Sequence, residues 1–224
     1  MTKNKKIKYG VFIIESMDFE NENQKKLDGL TLKTILDLCD IPNMYFYIRT
    51  KLELEQVIKI FNESNFGFLH IACHGNESAL GLTCENIDFE ELELIIGYYL
   101  HKKRLFLSAC KAARFELAQR FIPKYHCYSV IGSPDNIDYD KAAVFWSSFY
   151  YMMYEINKVN MTQKDLWPIL VNVTRSFKIK LNYFSIIKNT NSKSKNHLKE
   201  FHYESGNLVL ERLRQTEFNN IFRE

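Results

Sequence analysis

Two short polar clusters in this sequence carry residue types suited to acyl-transfer chemistry. His70-Ile71-Ala72-Cys73-His74-Gly75 closes the apolar run FGFLHI, and Ser108-Ala109-Cys110-Lys111 closes RLFLS. A free thiol has an ordinary pKa of about 8.5 and is only a few per cent thiolate at neutral pH. A neighbouring imidazole can take the thiol proton and later return it to a leaving amine. Cys110 and His74 are the pair for these roles, as nucleophile and as general base and acid. Cys110 precedes a stretch that reads as a helix from about residue 112. Its sulfur is therefore expected beside a helix N-terminus, whose partial positive charge favours the thiolate, with Lys111 adding to it. Gly75 lets backbone approach a substrate closely, and its N–H and that of Cys110 are the expected oxyanion-hole donors.

The same residues have plainer readings. A buried Cys at a strand end is usually a small hydrophobe. His70 lies inside the strand and reads as a core histidine, whereas His74 lies past it. Cys73 adjoins His74, but neighbouring strand residues face opposite sides. His70, Cys73, His74 and Cys84 would be a poor zinc set, because residues 70 and 74 of an extended strand stand about 13 Å apart. The dyad itself needs no metal or cofactor. Glu15, Ser108 and Asp135 are the candidate substrate-binding residues. With Asp138, the two acids would suit a basic side chain, with a small or apolar one as the alternative, although loop acids more often simply face solvent.

Such a dyad needs a scaffold that aligns strand ends, and the first 135 residues read as one. Residues 7–14 (IKYGVFII), 44–48 (MYFYI), 66–71, 105–108 and 128–131 (YSVI) are apolar, β-branched and aromatic runs, as in strands covered on both faces. Between them, residues 24–40, 52–61, 89–100 and 112–121 have apolar positions at helical spacing. This alternation indicates βαβ units and a mostly parallel sheet, where reactive groups collect at the C-terminal strand ends. The spacing predicts further helices over 138–156 and from 162 or 163 to about 180. It also predicts an exposed basic loop at 189–196, open to nicking, and a hairpin over 202–210 turning at Ser205-Gly206-Asn207. The expected fold is a single three-layer α/β/α domain spanning 1–224, with a core over about 8–157 and a C-terminal helical and hairpin extension over about 158–224.

Bulk properties agree with a globular enzyme-sized domain. Of 224 residues, 46% are hydrophobic and 25% charged, which is ordinary for a globular chain, and a 14% aromatic share supplies a large core. The net charge of +3 gives no ground for nucleic-acid binding, and part of it comes from Lys3, Lys5, Lys6 and Lys8. No stretch reaches the roughly 20 apolar residues of a membrane span, and the apolar run at 9–14 is too short for a signal peptide. Five cysteines at irregular spacing do not make a disulfide framework. The reading is cytoplasmic, with neither membrane nor nucleic acid as partner.

In order along the chain, HIACHGN, an apolar strand ending LSAC, and YSVIGSPDNIDYDKAAVFWSSFYYMMYE resemble the caspase-like cysteine peptidases, and within them the CHAT type. The resemblance runs from about Lys8 to Glu155. It implies a caspase-like fold, His74 as base and acid, Cys110 as nucleophile and Gly75 N–H in the oxyanion hole. It implies no cofactor and a protein or peptide substrate. By the same resemblance the chain would be a regulated bacterial effector of the defence type, with one dedicated substrate and an activating or inhibitory protein partner. Two departures bear on specificity. Caspases place an Arg after the first strand, where this chain has Glu15-Ser16. Caspases and metacaspases place Gln or Asp two residues before the nucleophile, where this chain has Ser108. Strict cleavage after Asp is therefore not expected. The rival readings are a catalytically inactive caspase-like interaction module, against which the presence of both His74 and Cys110 counts, and a nucleotide-binding response domain, which lacks a Gly-rich phosphate loop. The stripe Trp146, Phe149, Tyr150 and Met153 reads as core, with a homodimer face as its alternative.

Overall fold

The structure is a computed structural model and describes residues 8–156, 161–186 and 197–215. The basic positions Lys3, Lys5 and Lys6 and the loop at 189–196 lie outside the described residues. Five strands form the parallel part of the sheet: β1 (Lys8–Ser16), β2 (Asn43–Tyr47), β3 (Phe66–Gly75), β6 (Arg104–Ser108) and β7 (Ser129–Gly132). A short hairpin, β4 (Ala79–Gly81) and β5 (Asn86–Asp88), folds back on the end of β3. Near-complete burial of β6 and of most of β3 explains why their sequences are continuously apolar rather than alternating.

The C-terminal stretch continues this sheet. β8 (Lys180–Ile186) pairs antiparallel with β7, and the hairpin β9 (His197–Glu204) and β10 (Asn207–Gln215) extends it outward. The strand order is β10-β9-β8-β7-β6-β3-β1-β2. β8 occupies residues assigned from sequence to the end of a helix and to an extension beyond the core. The hairpin turn falls at Ser205-Gly206, where both residues adopt positive φ.

Helices cover both faces, an arrangement compatible with three α/β/α layers. On one face α3 (Lys51–Ser64), α4 (Phe89–Ile96) and α5 (Phe115–Tyr125) pack Leu54, Phe61, Leu92 and Phe121 against the sheet. On the other, α2 (Asp28–Leu38), α6 (Tyr139–Ile156) and α7 (Gln163–Phe177) contribute Leu32, Trp146, Phe149, Tyr150 and Leu170. The aromatic stripe of α6 is thus buried core. Local signals set several boundaries. α3 starts in a Thr50–Glu53 capping box and ends at left-handed Asn65, and α7 starts in a Thr162–Asp165 box. No helix of the described residues is long and apolar enough to cross a membrane.

Candidate active site

The ladder between β3 and β6 places the two clusters side by side. Its last paired residues are Ala72 and Ser108. β3 runs two residues further to His74, on the face of Ala72, because side chains repeat every second residue, whereas Cys110 stands two residues past Ser108 in the turn that follows β6. Neighbouring strands lie about 4.8 Å apart. Gly75 confirms the closeness: a Cβ built there would stand 2.8 Å from the Cys110 carbonyl oxygen and 3.1 Å from the Ala109 Cβ. Only a glycine lets the two strand ends approach this way.

His74 is held by three side chains. Its Nε2 lies 3.0 Å from Asp18 Oδ2 and 2.8 Å from the Tyr139 hydroxyl, with Asn21 Nδ2 at 3.0 Å. The Tyr139 hydroxyl also lies 3.2 Å from Nδ1, and its ring meets the imidazole edge-on. Asp18 caps the short helix α1 (Phe19–Asn23), accepting from the Asn21 amide at 2.7 Å. That amide, and then His74, hold the Asp18 carboxyl below its usual range. A carboxylate facing Nε2 favours the tautomer with the proton on Nε2, which leaves Nδ1 unprotonated and an acceptor. Asp18, Asn21 and Tyr139 were not found from sequence. The signal for the first two was an Asp-x-x-Asn start to a short helix, while Tyr139 is visible only once α6 is placed.

Cys110 is part-exposed, and its sulfur is bracketed by the backbone of one residue: the Ile137 N–H donates to Sγ at 3.4 Å, and Sγ lies 3.7 Å from the Ile137 oxygen. Among the described residues no hydrogen bond joins Sγ to His74. The helix expected beneath the sulfur begins later than about 112, at Phe115. Lys111 takes a left-handed conformation (φ 59) and donates its N–H to Asp135 O at 3.2 Å, which holds residues 111–114 out of the helix. The donor beside the sulfur is therefore the Ile137 amide rather than a helix end. Asn76 N donates to Ala79 O, so in the alternating antiparallel pattern Gly75 faces Leu80 as a non-bonded pair and its N–H points away from β4.

The remaining sequence candidates are placed differently. Ser108 is buried and donates to Asp28 Oδ2 at 2.5 Å. Glu15 is fully buried, accepting from Gly29 N at 2.7 Å, Leu30 N at 2.9 Å and Tyr45 OH at 2.7 Å. Its carboxylate caps the start of α2 beneath the crevice, so its oxygens are already engaged. Asp135 is half-exposed, with Oδ2 3.4 Å from Lys180 Nζ. His70 is buried, with Nδ1 3.1 Å from the Tyr150 hydroxyl, and burial drives it down to about 3. Among the described residues no group of three His, Cys, Asp or Glu side chains is arranged to hold a metal ion.

Burial, and then the charge of Asp28, raise Glu15 from 4.5 to about 7, and burial raises Asp28 to about 6. Both acids bind protons more tightly in the folded than in the unfolded chain. Their linkage therefore favours the folded state at low pH, and that contribution is lost as pH rises from 3.8 through about 6 for Asp28 and from 4.5 through about 7 for Glu15. For Glu15 the loss is on the order of 3 kcal/mol. Urea unfolding at pH 5 and pH 8 is expected to show wild type losing stability relative to Glu15→Gln over that interval. Equal changes in both proteins would refute the assignment.

No family model matches the chain, and no curated protein matches it.

Proposed function

We propose that the chain is a cysteine endopeptidase of the caspase-like, CHAT type, with Cys110 as nucleophile and His74 as base and acid. The observation that carries this reading is the close approach of the end of β3, which bears His74 and Gly75, to Cys110 just past the end of the neighbouring parallel strand β6. Rotation of Sγ from Ile137 toward the imidazole hands its proton to Nδ1 while Asp18 keeps Nε2–H oriented. The thiolate attacks the scissile carbonyl, and the Gly75 and Cys110 N–H groups receive the oxyanion. His74 then protonates the leaving amine, which leaves an acyl thioester on Cys110. Water, deprotonated by His74, attacks that thioester and releases the acid and the free thiol. No step calls on a metal or cofactor. By the sequence resemblance, the substrate is one dedicated protein and the setting a regulated bacterial defence response.

One observation favours the alternative of an inactive interaction module. The resting thiol contacts Ile137, and Tyr139 lies within hydrogen-bond distance of both imidazole nitrogens. Mapping new N-termini in a digested proteome separates the two readings. The peptidase reading expects termini that appear with wild type and vanish with His74→Ala, and identical termini from both proteins would remove it.

Asp18→Asn provides a graded test, because Asn also serves well as an N-cap. It removes the charge that orients Nε2–H and keeps the helix start. Asp18 is half-exposed, so its effect should be smaller than that of a buried triad carboxylate. The expected result is a kcat about 10-fold lower with KM unchanged, read by steady-state kinetics.

A further inference from the structure

We propose that the cavity between the C-terminal ends of α2 and α6 is a binding site for an alkylammonium group. It lies at the start of β1, about 20 Å along that strand from the end beside the dyad, and takes no part in the proposed hydrolysis. Its volume is about 420 Å³, within the usual range of ligand sites. Three tyrosines line it, Tyr9, Tyr151 and Tyr154, with Ile41 and Pro42 completing an apolar wall. Tyr154 donates its hydroxyl to the Tyr9 carbonyl at 2.5 Å, so it presents ring rather than hydroxyl to a ligand.

Cys39 and two acidic residues, Asp40 and Glu155, complete the lining. Among the described residues neither makes a salt bridge or a side-chain hydrogen bond. Asp40 is fixed in a left-handed conformation (φ 54), and its N–H is bonded to Asp37 O at 3.1 Å. The closing turn is completed by the Ile41 N–H bonded to Leu36 O at 2.9 Å. The acid therefore projects from a rigid turn. Unpaired carboxylates beside aromatic rings select a cation with an apolar stem, through charge and through the ring faces. A neutral ligand would gain the apolar wall and forgo both.

Titration calorimetry on the full chain tests this, with butyltrimethylammonium as the probe and neutral N-butylacetamide as control. The expected result is saturable binding of the cation, about 10-fold weaker in Glu155→Gln and in Tyr151→Ala and unchanged in Tyr151→Phe. Tyr151 is half-exposed and Glu155 exposed, so these variants should fold as wild type does. A trimethyllysine peptide that displaces the cation places the group on a protein side chain, and one that does not places it on a small molecule. Absence of binding, equal binding of the acetamide, or variants that bind as wild type would each overturn the proposal.

Discussion

Cys110→Ala is expected to lower kcat/KM for peptide hydrolysis by at least about 10³-fold while leaving the fold intact. The scale follows from removing the only atom that forms the acyl bond, after which binding and the oxyanion donors alone remain. The fold survives because the sulfur is part-exposed and its described hydrogen bonds are to the backbone of a single residue, Ile137. The other cysteines serve as internal controls. Cys73 and Cys127 are buried, and burial pushes both thiols upward, Cys127 to about 12. Neither supplies a thiolate at neutral pH. Cys39 and Cys84 lie away from the end of β6, and their Ala variants are expected to keep wild-type kinetics. Loss of activity in Cys84→Ala rather than in Cys110→Ala would move the nucleophile.

Gly75→Ala is expected to cost about 10²-fold in kcat/KM. The added Cβ would stand 2.8 Å from the Cys110 carbonyl oxygen, closer than real Cβ contacts come. That oxygen is backbone, so relief requires moving one strand end, and displacement of the reacting groups by about 1 Å costs this much. Overpacking should also lower stability by about 1–3 kcal/mol, and a urea titration separates the two effects. A Gly75→Ala enzyme with wild-type kinetics would show that the strand ends need not meet.

The parallel half of the sheet was legible because its inner strands are buried on both faces and so carry continuous apolar runs, while the edge strand β2 is half-buried but rich in aromatic residues. The dyad followed from that, since strand ends in a parallel sheet share one edge. β8 was not legible: Lys178 closes α7 in a left-handed conformation (φ 50), where a sequence normally signals with Gly or Asn. The late start of α5 was hidden for a similar reason. Ala112 and Ala113 are good helix formers, but Lys111 is bonded to Asp135 and Ala113 O accepts from Asn182 at 2.9 Å. Glu15 looked like a crevice acid because it follows the apolar run at 7–14 at the C-terminal end of the first strand. Only the placement of α2 shows its carboxylate turned inward onto Gly29 and Leu30. The contact of Asp18 with His74 joins residues 56 apart in sequence, and no local pattern encodes such a pair.

The dyad can be tested without knowing the substrate, by the rate at which iodoacetamide alkylates each cysteine between pH 5 and 8. If His74 activates Cys110, Cys110 in wild type reacts at pH 5–6 at least about 10-fold faster than Cys39 or Cys84, and His74→Ala abolishes the difference. Labelling of Cys110 at the rate of Cys39 and Cys84 across that range, unchanged by His74→Ala, would contradict the account.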